Sequence, residues 1–228
     1  MKIDYFFKEL LLFFVVFAFF IFPSIIQSSV PDGAFSLYQF RFDRLILLFC
    51  TFLFVKFELE SLSLKSFLFL KISLSSFFKK VLFFFIGLVI LLCIESFLNF
   101  FSSFILQKNE KQVEVLFPKD FKNWFLCVFN FFIGAIIEEN IFRFYLPSVF
   151  YKIFYKISFT KMRIFLSEVF PCVLFALCHR YLGLVAVINA FCAHSVFRFL
   201  FYKSKSPVVP YLVHFFYNML NVFFQTMF

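Results

Sequence analysis

The sequence predicts an all-α protein, a polytopic membrane helical bundle of about seven transmembrane helices. Hydrophobic residues make up 63% of the chain and Phe alone supplies 49 of 228 positions. A soluble domain is nearer half apolar, and its apolar residues fall on periodic faces. Here they come in long runs instead, and LLLFFVVFAFFIF and VLFFFIGLVILLCI, with their flanks, approach or reach the length that crosses hydrocarbon. The lysines sit between those runs, where topogenic signals lie.

The expected spans are 9–26, 42–57, 81–104, 123–146, 163–179, 182–202 and 206–228. The first follows Lys2 and Lys8 and could be taken for a signal peptide. Its nearest candidate cleavage sites, Pro23-Ser24 and Gln27-Ser28-Ser29, lack the small-x-small pattern, so it reads as a retained helix. Between the second and third spans, residues 58–80 read ELESLSLKSFLFLKISLSSFFKK. Ser and Lys interrupt the apolar residues there, which suits an amphipathic helix at the interface, with an eighth span as the alternative. The later spans include Ser, Asn and Cys, which a bilayer tolerates far better than charge. The expected organisation is N-terminal helices over 1–122 and a helical core over 123–228.

Orientation follows from the Lys and Arg placement. With the N-terminus inside, inner loops hold thirteen basic residues and outer loops seven, so the chain is expected N-in in a bacterial cytoplasmic membrane. The net charge of +9 forms no basic stripe interleaved with exposed aromatics, so a nucleic-acid partner is not expected. The partners implied are the lipid bilayer and whatever the buried polar groups bind. Six cysteines fall singly in apolar stretches without a C-x-x-C pair, and they read as small core residues. With four glycines and no internal repeat, the paired broken helices of an inverted-repeat transporter are not evident.

Against that apolar background, ionisable residues inside the spans carry the functional signal. An intramembrane charge costs about 2.5–3.5 kcal/mol on insertion scales, and it is a functional hypothesis by default. Glu139 and Arg143 are four apart, share a helix face and can form a structural ion pair. Glu138 projects about 100° away around the same helix and is the carboxylate left free for chemistry. The alternative puts this cluster at a helix end, from which its side chains reach water. Phe175 and His179 are four apart on the next helix, where a lone His can equally be a satisfied polar residue. His214 and Asn218 share a face of the last helix, where Asn can simply bond a neighbouring helix.

Together these residues form E-E-x-x-x-R (138–143), F-x-x-x-H (175–179) and H-x-x-x-N (214–218), in that order on successive apolar helices. The set resembles the CPBP family of intramembrane proteases, also called Abi. That family includes the type II CAAX prenyl endopeptidases and bacteriocin-processing or immunity proteins. The likeness covers roughly 123–221, and SPVVPYLVHFFYN is similar to the family's last motif segment through its prolines as well. Two features depart from the family pattern. Phe144 stands where Gly commonly follows the motif Arg, and AFCAHSVFRFL replaces a Gly-rich helix. His194 in that stretch reads as structural or pocket-lining, and Arg198 as snorkelling toward Lys203.

The resemblance implies an endopeptidase acting on a peptide or protein substrate. It implies that Glu138 is the catalytic glutamate, with His179 its partner in activating water, and that His214 and Asn218 stabilise the oxyanion. General bases and preorganised donors are what peptide hydrolysis requires. The reaction runs with or without a divalent metal such as zinc; Glu138, His179 and His214 are the candidate ligands, a composition common in catalytic zinc sites. Two other classes stay open from sequence. One is a non-catalytic binding or immunity protein of the same fold, the other a proton-coupled transporter using the buried Glu and His as a relay.

Overall fold

The computed structural model describes residues 2–26, 35–40, 42–61, 74–105 and 115–227. Helix α1 (Lys2–Val16) continues through a π-helical turn, Phe17–Ile21, into α2 (Phe22–Ile26). Then come α3 (Phe42–Ser61) and α4 (Leu74–Ile105), the longest helix. Helix α5 (Phe121–Glu139) passes through a second π-helical turn, Asn140–Tyr145, into α6 (Leu146–Ile153). Helices α7 (Thr160–Leu177), α8 (Leu184–Ser204) and α9 (Val208–Met227) complete the bundle. The all-α expectation holds apart from one small addition. Strands β1 (Phe35–Ser36) and β2 (Val115–Leu116) pair in parallel, with Phe35 opposite Val115.

Among the described residues three helical stretches are long and apolar enough to cross a membrane: Phe77–Ser102, Phe121–Lys156 and Leu184–Ser204. The fourth expected span therefore runs past its predicted end at 146, because the helix bends through the π turn instead of stopping at Pro147. Along α4, Phe78, Phe85, Val89 and Phe97 are 58–64% exposed. An apolar face of that extent is what lipid covers. The chain is an integral membrane protein. The interfacial helix expected over 58–80 is divided: 58–61 close α3, 74–80 open α4, and 62–73 lie outside the described residues.

Two buried clusters meet in the interior. One joins Val16 and Ile21 to Ile133, Ile137, Ile141, Phe142, Tyr145, Leu146 and Phe175. The other joins Leu91 of α4 to Phe197 and Leu200 of α8 and Val213 and Tyr217 of α9. Gly87 permits that second contact, since a Cβ there would lie 2.5 Å from Leu200 Cδ1 and 3.2 Å from Val213 Cγ1. Gly183 starts α8 at φ 97°, a backbone region open to glycine.

Local signals place α5, which carries the acidic motif. Asp120 caps it by accepting from the Asn123 amide at 2.8 Å, and Asn123 Nδ2 returns a bond of 2.8 Å to the same carboxylate. Ten residues in, Asn130 donates to the Leu37 and Gln39 carbonyls at 3.0 and 3.1 Å, fastening the β1 segment to the helix. Removing the cap with Asp120→Ala is expected to destabilise the protein by about 1 kcal/mol in a reversible detergent-unfolding titration. An unchanged midpoint would show that the helix start is held by other contacts.

Candidate active site

The acidic motif sits at the α5–α6 junction, on the seam between the two buried clusters. Glu139 is the last residue of α5, and Arg143 lies in the following π-helical turn. Both side chains are fully buried, with Arg143 Nε 3.1 Å from Glu139 Oε2. Two aromatic rings face the guanidinium, Phe175 with its centroid at 4.1 Å and Phe197 at 4.9 Å. Those contacts hold a cation by its attraction to the ring faces where water is absent.

His214 reaches this pair from α9. Its Nδ1 lies 2.8 Å from Glu139 Oε1. A carboxylate only accepts, so Nδ1 is the donor and the ring's orientation is fixed. Phe197 stacks on the imidazole at 4.8 Å between centroids and 25° between planes. The other nitrogen, Nε2, faces Glu138 Oε2 at 3.7 Å, slightly beyond direct hydrogen-bond reach. The Glu138 side chain is 36% exposed while that of Glu139 is 0%. Adjacent carboxylates therefore occupy different settings: Glu139 locked between Arg143 and His214, Glu138 at the edge of the buried cluster.

The remaining motif residues are placed less directly. His179 follows α7 and lies 2.9 Å through Nδ1 from the Phe175 carbonyl, which makes Nδ1 the donor and leaves Nε2 for another partner. Its ring packs on Phe175 at 4.7 Å. Burial pushes the nearby Tyr181 phenol up, and the Glu138 carboxylate adds to the rise, so Glu138 acts electrostatically on the turn that follows His179. Asn218 stands one helical turn beyond His214 on α9. The structure thus joins Glu138, Glu139, Arg143 and His214 by direct contacts; His179 connects to them through Phe175, whose ring also faces Arg143, and Asn218 is placed by its helix.

Other polar groups brace the junction. Tyr211 donates to Asn140 Oδ1, and Asn140 Nδ2 lies 3.4 Å from Thr51 Oγ1, tying α9 and α3 to the π-helical turn. Phe144, at the position where the resemblance expects Gly, packs edge-on against Phe201 at 4.6 Å. His194 is 2% exposed and its two ring nitrogens find no hydrogen-bond partner among the described residues.

Arg198 corrects an expectation. It does not snorkel toward Lys203 but turns inward, because Glu168 of α7 faces it: Nε and Nη2 each lie 2.6 Å from a Glu168 oxygen. Glu168 is an acid inside the expected span 163–179, the same kind of signal that singled out Glu138. A second such acid is Glu95 on α4, whose carboxylate faces Tyr217 and Asn221 on α9.

A metal ion has no ready-made cradle here. Among the described residues no three His, Cys, Asp or Glu side chains converge closely enough to hold one. In the candidate ligands His179 and His214, the bonds from Nδ1 to the Phe175 carbonyl and to Glu139 leave Nε2 of each ring as the nitrogen a ligand role would use, with Glu138 as the third group.

Residues 120–220 match the family model of the Rce1-like type II CAAX prenyl endopeptidases. This segment is similar to that family. The match contains all three motifs and supports the resemblance drawn from them. No curated protein and no solved structure matches the chain. The matched segment runs from the cap of α5 into α9 and so includes Glu138, Glu139, Arg143 and His214, while α1 to α4 lie outside it.

Proposed function

We propose that the chain is an intramembrane endopeptidase and that Glu138 is its general base. The observation that carries this reading is His214, bonded to Glu139 on one side and facing Glu138 on the other. Glu138, Glu139 and Arg143 together leave one uncompensated negative charge. A single proton held by either Glu138 or His214 brings the group to neutrality, which burial demands. A proton with two nearby homes is the requirement for acid–base work.

On this reading a water molecule next to Glu138 loses its proton to the carboxylate as its oxygen bonds the peptide carbonyl carbon. The resulting oxyanion is met by donors from His214 and Asn218. Glu138 then returns the proton to the amide nitrogen as the C–N bond breaks, giving a new carboxyl group and a free amine. His179, with Nε2 uncommitted to its own helix, assists in holding the water. Glu139 and Arg143 aim His214 without touching substrate. We further assign the seven helical rods among the described residues to seven crossings with the N-terminus inside, and a peptide of unspecified sequence as the substrate.

The test is digestion of a peptide library by the purified protein in lipid vesicles, with product masses read in normal and oxygen-18 water. Hydrolysis places one heavy oxygen in each new C-terminus. Absence of labelled product across the library, from protein shown to be folded, would reject the reading. Within it, Asn218→Ala is expected to lower kcat about 10²-fold with KM little changed, as for loss of one oxyanion donor. A change confined to KM would instead place Asn218 in substrate binding.

A further inference from the structure

The main chain beside the acidic motif has a gap that one side chain fills. In an α-helix the N–H of residue i+4 bonds the carbonyl of residue i. Pro147 has no N–H, so it can serve neither the Arg143 carbonyl four residues back, as the α register would ask, nor the Phe142 carbonyl five back, as the π register would, and its ring crowds the turn before it. The π-helical turn Asn140–Tyr145 stands immediately ahead of that proline. Arg198, from α8, donates Nη1 to the Arg143 carbonyl.

The guanidinium is held so that this bond has one direction. Nε and Nη2 lie 2.6 Å from the two oxygens of Glu168, and Nη2 lies 2.8 Å from the Tyr202 hydroxyl. Tyr202 in turn donates to Glu168 Oε1 at 2.8 Å. A planar fork pinned along one edge leaves Nη1 a single orientation. Three helices are thereby linked at one point: α7 through Glu168, α8 through Arg198 and Tyr202, and the α5–α6 junction through the Arg143 carbonyl.

We propose that Arg198 is a positioning residue that supplies the hydrogen bond Pro147 cannot, and so holds the turn that sets Glu138 and Glu139 against His214. Its kinetic consequence rests on the peptidase reading; its structural consequence does not. Without the donor the Arg143 carbonyl loses its side-chain partner, and the turn rewinds to relieve it. Rewinding rotates Glu139 about the helix axis and breaks its 2.8 Å contact with His214 Nδ1. A displacement of about 1 Å at a catalytic group can cost on the order of 10²-fold in rate.

The test exploits the fact that the chain has three histidines. In full-length protein with nitrogen-15 histidine in lipid bilayers, the His214 ring signal is assigned by its loss in His214→Gln. Arg198→Met is expected to shift that signal, leave the His179 signal in place, and lower kcat about 10²-fold with KM little changed. Pro147→Ala, which restores an N–H, is expected to leave the signal where it is and to recover both signal and rate when added to Arg198→Met. Should Arg198→Met fail to fold, Arg198→Lys with and without Pro147→Ala carries the same comparison. The proposal is overturned if the His214 signal ignores the loss of Arg198, if Pro147→Ala gives no recovery, or if Pro147→Ala alone shifts the signal as far as the Arg198 variant. A wild-type protein that cleaves nothing yet shows the expected shifts would retire the peptidase reading and keep the positioning role.

Discussion

Replacing Glu138 with Gln is expected to abolish peptide cleavage while leaving the protein folded in the bilayer. Gln keeps the volume and can still bond a water molecule, but it cannot take a proton from one. Loss of a general base costs about 10²–10⁴-fold. The fold has little stake in this side chain, because Glu138 is 36% exposed and its nearest charged partner, His214 Nε2, is 3.7 Å away. Charge balance favours the variant as well: with Gln at 138, neutral His214 and the Glu139–Arg143 pair sum to zero. Cleavage assays and detergent unfolding on the same preparation separate the two effects. Turnover within tenfold of the wild type would remove Glu138 from the chemistry, whatever the stability result.

The helices were legible because hydrocarbon leaves the backbone so few options. Runs such as 81–94 had to be helical to satisfy their own N–H and C=O groups, and α4 covers that run entirely. The Glu139–Arg143 contact follows from four-residue spacing, which keeps the two side chains on one face. Longer-range facts were not available to spacing. Nothing within α9 says that His214 will stand between two acids 75 or 76 positions earlier in the chain. The Glu168–Arg198 pair escaped for a related reason: each residue lies near a basic segment, 161–163 or 203–205, and alone looks like a side chain on its way to water. The π-helical turn at 140–145 is hidden because a 3.6-residue period blurs over six residues, although Pro147 marks the place where helical bonding must fail. The β1–β2 pairing involves two residues on each side, too few for an alternating pattern to show.

Removing Glu139 is expected to damage the protein more than removing Arg143, although the two form one ion pair. Stranding one member of a buried pair costs about 3–5 kcal/mol. In Glu139→Leu the stranded group is Arg143, fully buried, left with the faces of Phe175 and Phe197 and the Glu138 charge in place of its direct partner. Cation–π contacts of about 2 kcal/mol when desolvated offset only part of the loss. In Arg143→Met the stranded group is Glu139, which keeps the 2.8 Å bond from His214. Protonated, His214 takes over the role of counter-ion, and a hydrogen bond to a charged group retains about 1.5–3 kcal/mol. The double variant Glu139→Leu with Arg143→Met buries no charge from the pair and should recover much of the stability, since apolar replacement of a buried pair is often neutral or favourable. The expected order of destabilisation, read from helix content in mixed-micelle titrations, is Glu139→Leu, then Arg143→Met, then the double variant. Equal single losses would mean that His214 gives Glu139 no support. Activity discriminates further: the double variant restores the fold but leaves His214 Nδ1 without its acceptor, so it should fold and still not cleave.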